Sequence, residues 1–133
     1  MALRINDPLR SKIITSGILG GLGTAAILKI YGGNQPLTGG GATTAGVIVQ
    51  ISNVAWAAPS NGTASLSTSC QGTANGTDGT ASWARLSDTS GTAYVIDGAC
   101  GTSSLSEFII DAEVINGTSV VTLTSADIVQ PGS

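Results

Sequence analysis

The triplet Asn-Gly-Thr occurs three times in this chain, at Asn61, Asn75 and Asn116, each time among short apolar runs. Asn-Gly accepts the positive φ of the two-residue turns that match the twist of antiparallel strands, so each copy predicts a hairpin. The triplet also fits the N-glycosylation acceptor pattern, but three copies in a chain with 19 glycines read as turns.

The apolar runs between the turns are "AAILKIY" ending at Tyr31, "AGVIVQI" over 45–51, "TASLS" from Thr63, "TASWARLSD", "AYVID", "EFIIDAEVI" and "TSVVTLTS". About seven short strands with one helix predict a mainly β fold, an antiparallel sandwich or jelly-roll-like arrangement over 25–133. Residues 1–24 form an amino-terminal arm and helix ahead of it. At 133 residues the chain is one domain, able to bury about two-thirds of its unfolded surface.

In "DPLRSKIITSGILGGLGTAAIL", Asp7 is the expected N-cap and Pro8 the first helical residue, where its missing N–H is no loss. Leu9, Ile13, Ile14, Gly17, Ile18 and Leu22 recur at three- and four-residue spacing, and Gly20, Gly21 and Gly23 supply the stop. This predicts an amphipathic helix of about four turns. Glycine interrupts the segment and Lys29 closes it short of the roughly 20 apolar residues a membrane span needs, so a retained helix is expected rather than a signal peptide or a span.

The net charge of -3 is unevenly spread. Arg4, Arg10, Lys12 and Lys29 lie near the amino end, and Arg85 is the sole later cation, against Asp78, Asp88, Asp97, Glu107, Asp111, Glu113 and Asp127. The arm is basic and the body acidic. Four cations without interleaved aromatics make a poor nucleic-acid footprint, and no nucleic-acid partner is expected.

Without histidine there is no Ser-His-Asp or Cys-His arrangement and no imidazole metal site. Asp111 and Glu113 would face one side of a strand, the minimum for glycosidase chemistry, but that spacing is typical of a solvated strand edge. "GGLG" and "GGGAT" lack the lysine of a phosphate loop, and Asp78, Asp88 and Asp97 lack calcium-loop spacing. No catalysis, cofactor or metal is expected. Cys70 and Cys100 are compatible with either a disulfide or two free thiols.

In "TASWARLSD" a period of two puts Ala84 and Leu86 on the core face and Trp83 and Arg85 together on the other. Asp88 to Gly91 turns the chain back as "TAYVID". Arg85 is expected to lie against Trp83 and to offer its guanidinium to a carboxylate of its own chain or of a neighbour. Trp56 is expected to cover one end of the core.

The stretches "PLRSKII", "LKIYGGNQP", "GTASWARLSDTSGTAYVIDGACGT" and "VINGTSVVTLTSADI" together resemble a family of small structural proteins encoded in the head-gene region of tailed bacteriophages, over nearly the whole chain. Two departures are Ala84, where the family commonly has phenylalanine, and a longer Ser/Thr-rich middle. The resemblance implies a capsid cement or decoration protein, made in the host cytoplasm and carried on the virion head. Its partner would be the major capsid protein, with the chain either a homo-oligomer or present as copies clustered on the capsid lattice, and no membrane involved. The capsid or subunit contacts are then expected at Arg4, Leu9, Arg10, Ile13, Trp83 and Arg85. The competing expectation is a tail or surface adsorption module that stacks host glycan on Trp56 and Trp83.

Overall fold

The computed structural model describes residues 4–43, 45–91 and 94–130. Leu3 of the expected amino-terminal arm, and Thr92 and Ala93 of the expected "TAYVID" return, lie outside the described residues.

The chain is mainly β with one amino-terminal helical segment, as its turns and apolar runs predict. Helix α1 (Asp7–Ile13) runs through a π-helical turn (Ile14–Leu19) into α2 (Gly20–Leu22). The strands are β1 (Ala26–Tyr31), β2 (Val47–Val54), β3 (Thr63–Ala64), β4 (Cys70–Thr73), β5 (Gly79–Thr80), β6 (Trp83–Ser87), β7 (Val95–Gly101), β8 (Phe108–Ile110), β9 (Val114–Ile115), β10 (Val120–Ser125) and β11 (Ile128–Val129).

The N-cap is Asn6 rather than Asp7. Asn6 has extended backbone, so its side chain can turn back, and Oδ1 accepts from Leu9 N at 3.1 Å. Asp7 is already helical and pairs with Arg10. The helix runs past Gly20 and Gly21 and ends at Gly23, whose φ of 77° only glycine adopts without strain. Ile14 and Leu22 are buried and Ile18 packs against the core. Leu9 and Ile13 remain 48% and 37% exposed. Among the described residues no helix is long and apolar enough to cross a membrane.

Seven strands form one sheet in the order β2-β1-β6-β7-β8-β10-β4. All its pairs are antiparallel except β7 with β8. The sheet curls until its first and last strands meet: Val49 bridges Ala74, and Asn75 donates to the carbonyls of Ile48 and Val47. The result is a nearly closed barrel, which leaves little free strand edge. Gly72 in β4 makes the seam possible, because a Cβ there would collide with the Gln50 carbonyl oxygen and lie 2.9 Å from Ile51 Cγ1. Inside are Leu28 and Ile30 of β1, Val49 and Ile51 of β2, Ala84 and Leu86 of β6, and Val121 and Leu123 of β10. Two ribbons, β3–β11 and β5–β9, complete the fold.

The Asn-Gly pairs divide. Asn61-Gly62 forms the expected two-residue hairpin turn, both residues at positive φ, with Ser60 and Thr63 exchanging backbone hydrogen bonds. Asn116-Gly117 also turns the chain, with Ser119 N donating to Asn116 O. Asn75-Gly76 makes a bend instead, where Gly76 N donates to Gly117 O. "EFIIDAEVI" is broken into β8 and β9, because Asp111 and Glu113 turn to cap separate backbone amides.

Candidate functional site

The outer face of β1, β6 and β7 carries two cross-strand rows. Tyr31, Trp83 and Ala99 face one another in register, and Lys29, Arg85 and Asp97 form the next row. Tyr31 stacks on Trp83, with centroids 4.3 Å apart and planes 10° from parallel. The Arg85 guanidinium lies over the same indole, its Cζ 5.4 Å from the ring centre.

Arg85 finds its carboxylate in its own chain. Nε donates to Asp97 Oδ1 at 2.7 Å and Nη2 to Asp97 Oδ2 at 2.9 Å, a bidentate pair. Side-chain exposures of 14% and 2% make it a buried one. The pair also holds the β1–β2 connection, since Nη2 donates to Gly41 O at 2.7 Å and Gly40 N donates to Asp97 Oδ2 at 3.1 Å. Gly40 sits at φ 77°, and a Cβ there would press on Val95 Cγ2. Donation of these hydrogen bonds to Asp97 raises the Arg85 pKa above its ordinary value. Burial raises that of the Tyr31 phenol, with Arg85 opposing and Asp97 adding to the rise. Among the described residues the buried Trp83 Nε1–H has no acceptor.

The six residues expected at an interface therefore separate. Arg4, Leu9 and Ile13 are exposed. Arg10 is committed within the chain: Nη1 pairs with Asp7, and Nε donates to Gln130 O at 2.6 Å, tying the helix to the carboxyl-terminal segment. Gly62 N reinforces that attachment by donating to Ser11 Oγ at 3.1 Å. Trp83 is 2% exposed, so it has no open ring face for a sugar or a partner. Arg85 is held in the Asp97 clamp.

Trp56 packs against the end of the core, and its Nε1 donates to Ala126 O at 2.6 Å. It lines a cleft of about 240 Å³ with Ile18, Leu86, Phe108 and Ile128. The exposed acids Glu107 and Asp127 lie along the same cleft.

Asp111 Oδ1 accepts from Thr122 N, and Glu113 Oε1 from the amide and hydroxyl of Thr102, so each carboxylate braces a different strand connection. Cys70 and Cys100 are free thiols. Burial, and secondarily Glu113, pushes the Cys100 pKa up to about 12. Among the described residues no three His, Cys, Asp or Glu side chains cluster in a way that could hold a metal ion.

The Asp97 partnership escapes a reading of the strand alone. A hairpin centred on Gly91 sets Arg85 directly opposite Asp97, and that symmetry is the signal that points to it. Nothing comparable in the sequence marks Gly40, Gly41 or Tyr31 as parts of the cluster. Comparison with family models, with curated proteins and with solved structures gives no match to this chain.

Proposed function

We propose that this protein is a non-enzymatic virion component, a cement or decoration protein that binds the assembled shell of a tailed phage and stabilises it. The observation that carries this reading is the helix surface. Leu9 and Ile13 stay exposed on a helix that also exposes Lys12, with exposed Arg4 ahead of it in the chain, while Arg10 and Ser11 fasten the same helix to the carboxyl-terminal segment and the Asn61-Gly62 turn. A body with few charged groups thus presents one basic, apolar strip, which is what a lattice protein needs as a contact element, to the shell or to a neighbouring copy. The resemblance to phage head proteins supplies the partner class, the major capsid protein.

The mechanism is mass action. A protein that binds the assembled shell and not its dissociated subunits stabilises the shell in proportion to its binding free energy, repeated at every lattice site. Hydroxyl and backbone groups on the remaining surface lose less on desolvation than ionic ones would.

Quantitative mass spectrometry of purified particles tests the reading. A copy number near that of the major capsid protein, or a simple fraction of it, is expected. A handful of copies per particle, or none, overturns it and favours an adsorption role.

A further inference from the structure

The cleft at Trp56 and the helix strip at Leu9 are complementary. The cleft has an apolar lining, Ile18, Trp56, Leu86, Phe108 and Ile128, with Glu107 and Asp127 as its exposed carboxylates. Gly98 of β7 lets Glu107 and Phe108 pack down against the strand at the cleft, since a Cβ there would meet Glu107 Cβ and Phe108 Cε2 at 3.1 Å. Among the described residues neither Glu107 nor Asp127 has a hydrogen bond or ion pair. The strip offers the opposite chemistry, with Leu9 and Ile13 on adjacent turns and Lys12 exposed beside them.

The strip cannot fill the cleft of its own chain. Ile18, which lines the cleft, and Leu9 belong to one continuous helical segment, about 13 Å apart by the helical rise. The Arg10–Gln130 and Ser11–Gly62 hydrogen bonds hold that segment in place. An occupant with this chemistry must come from another molecule.

The geometry points to a second copy of this chain: the Leu9–Lys12–Ile13 strip of one copy seats in the Trp56 cleft of the next, with Lys12 facing Glu107 and Asp127. This deepens the proposed function by assigning the strip to copy-to-copy contact, and it rests on reading that strip as an intersubunit element. Donor strip and acceptor cleft are different patches, so each contact is heterologous and suits a ring or a lattice. Two apolar side chains bury far less than a standard interface, so the contact is weak in solution, with a Kd on the order of 0.1–1 mM. It strengthens when a lattice holds neighbouring copies at high local concentration.

A concentration series of the free, full-length protein, followed by NMR, tests this without particles. The expected result is a progressive shift of the Trp56 indole N–H signal, at the cleft, while that of buried Trp83 stays fixed. A Glu107→Lys, Asp127→Lys double variant and a Lys12→Glu variant, all at exposed positions, should each lose the shift alone. Mixed together they should regain it, because the double variant keeps a native strip, the Lys12→Glu variant keeps a native cleft, and the two altered patches carry opposite charges. Spectra independent of concentration up to about 1 mM, or a shift unchanged by these substitutions, overturn the contact. Particle stoichiometry tests the cement reading separately, so either can fail without the other.

Discussion

Arg85 and Asp97 face each other across the β6–β7 hairpin and share two hydrogen bonds, and the same two side chains hold the backbone of Gly40 and Gly41. The hairpin, the loop over it and the Tyr31–Trp83 stack are therefore one unit. Truncating Arg85→Ala leaves the Asp97 carboxylate, 2% exposed, without its counter-charge. The expected loss is about 3–5 kcal/mol by chemical denaturation, with a smaller loss for Arg85→Lys, which keeps the charge but not the bidentate geometry. An Arg85→Ala protein as stable as the parent would remove the clamp from the account.

Alkaline pH should weaken the fold. The Cys100 thiol titrates near 9 when unfolded and at about 12 in the barrel, so above the lower value the unfolded chain releases a proton that the native chain keeps. That contribution is complete below pH 9 and is lost as pH rises towards 12. Burial of Tyr31 acts in the same direction. Denaturation midpoints measured across this range should fall, and Cys100→Ala should flatten the decline. In the native state at neutral pH a thiol reagent should label partly exposed Cys70 well before buried Cys100.

Closure of the barrel depends on a missing side chain. Gly72→Ala drives a methyl group into the Gln50 carbonyl at the β2–β4 seam and should destabilise by about 2 kcal/mol or more. Gly17→Ala is the control: a Cβ there meets nothing within 4 Å, and helix propensity predicts a gain of about 0.5–1 kcal/mol. Thermal unfolding of the two variants should shift in opposite directions.

Arg10 joins distant parts of the chain through Asp7 and Gln130. Arg10→Ala should speed hydrogen exchange at the β3–β11 ribbon and along the helix while the seven-stranded sheet keeps its protection. Uniform exchange changes across the whole sheet would show instead that the helix is integral to barrel stability.

What the sequence made legible follows from local rules. Pro8 and the apolar stripe mark the helix, alternation marks β1, β2 and β6, and the hydroxyl-rich run "VVTLTS" becomes β10. Strand β4 was silent because its composition, "CQGT", answers to the seam, where Gly72 must approach Gln50, and not to a half-buried pleat. The parallel β7–β8 pair and the meeting of β2 with β4 are long-range closures that no window of ten residues encodes. Trp83 and Arg85 were legible as a pair on one face. Asp97 follows from the symmetry of the hairpin about Gly91, but Tyr31 and Gly41 were not legible, because they come from separate segments.

The asparagine-glycine turns also govern chemical ageing. In a flexible chain the glycine nitrogen attacks the asparagine side-chain carbonyl carbon, expels ammonia and closes a succinimide, which water opens to aspartate or isoaspartate. Here each of those nitrogens already donates a hydrogen bond: Gly62 to Ser11 Oγ, Gly76 to Gly117 O, and Gly117 to Asp78 Oδ1. The folded protein should accumulate isoaspartate at Asn61, Asn75 and Asn116 far more slowly than the urea-unfolded chain, by peptide mapping after prolonged incubation. Equal rates would mean that these hydrogen bonds give no protection. The backbone contacts that set these turns therefore also set how long the covalent structure of the chain lasts.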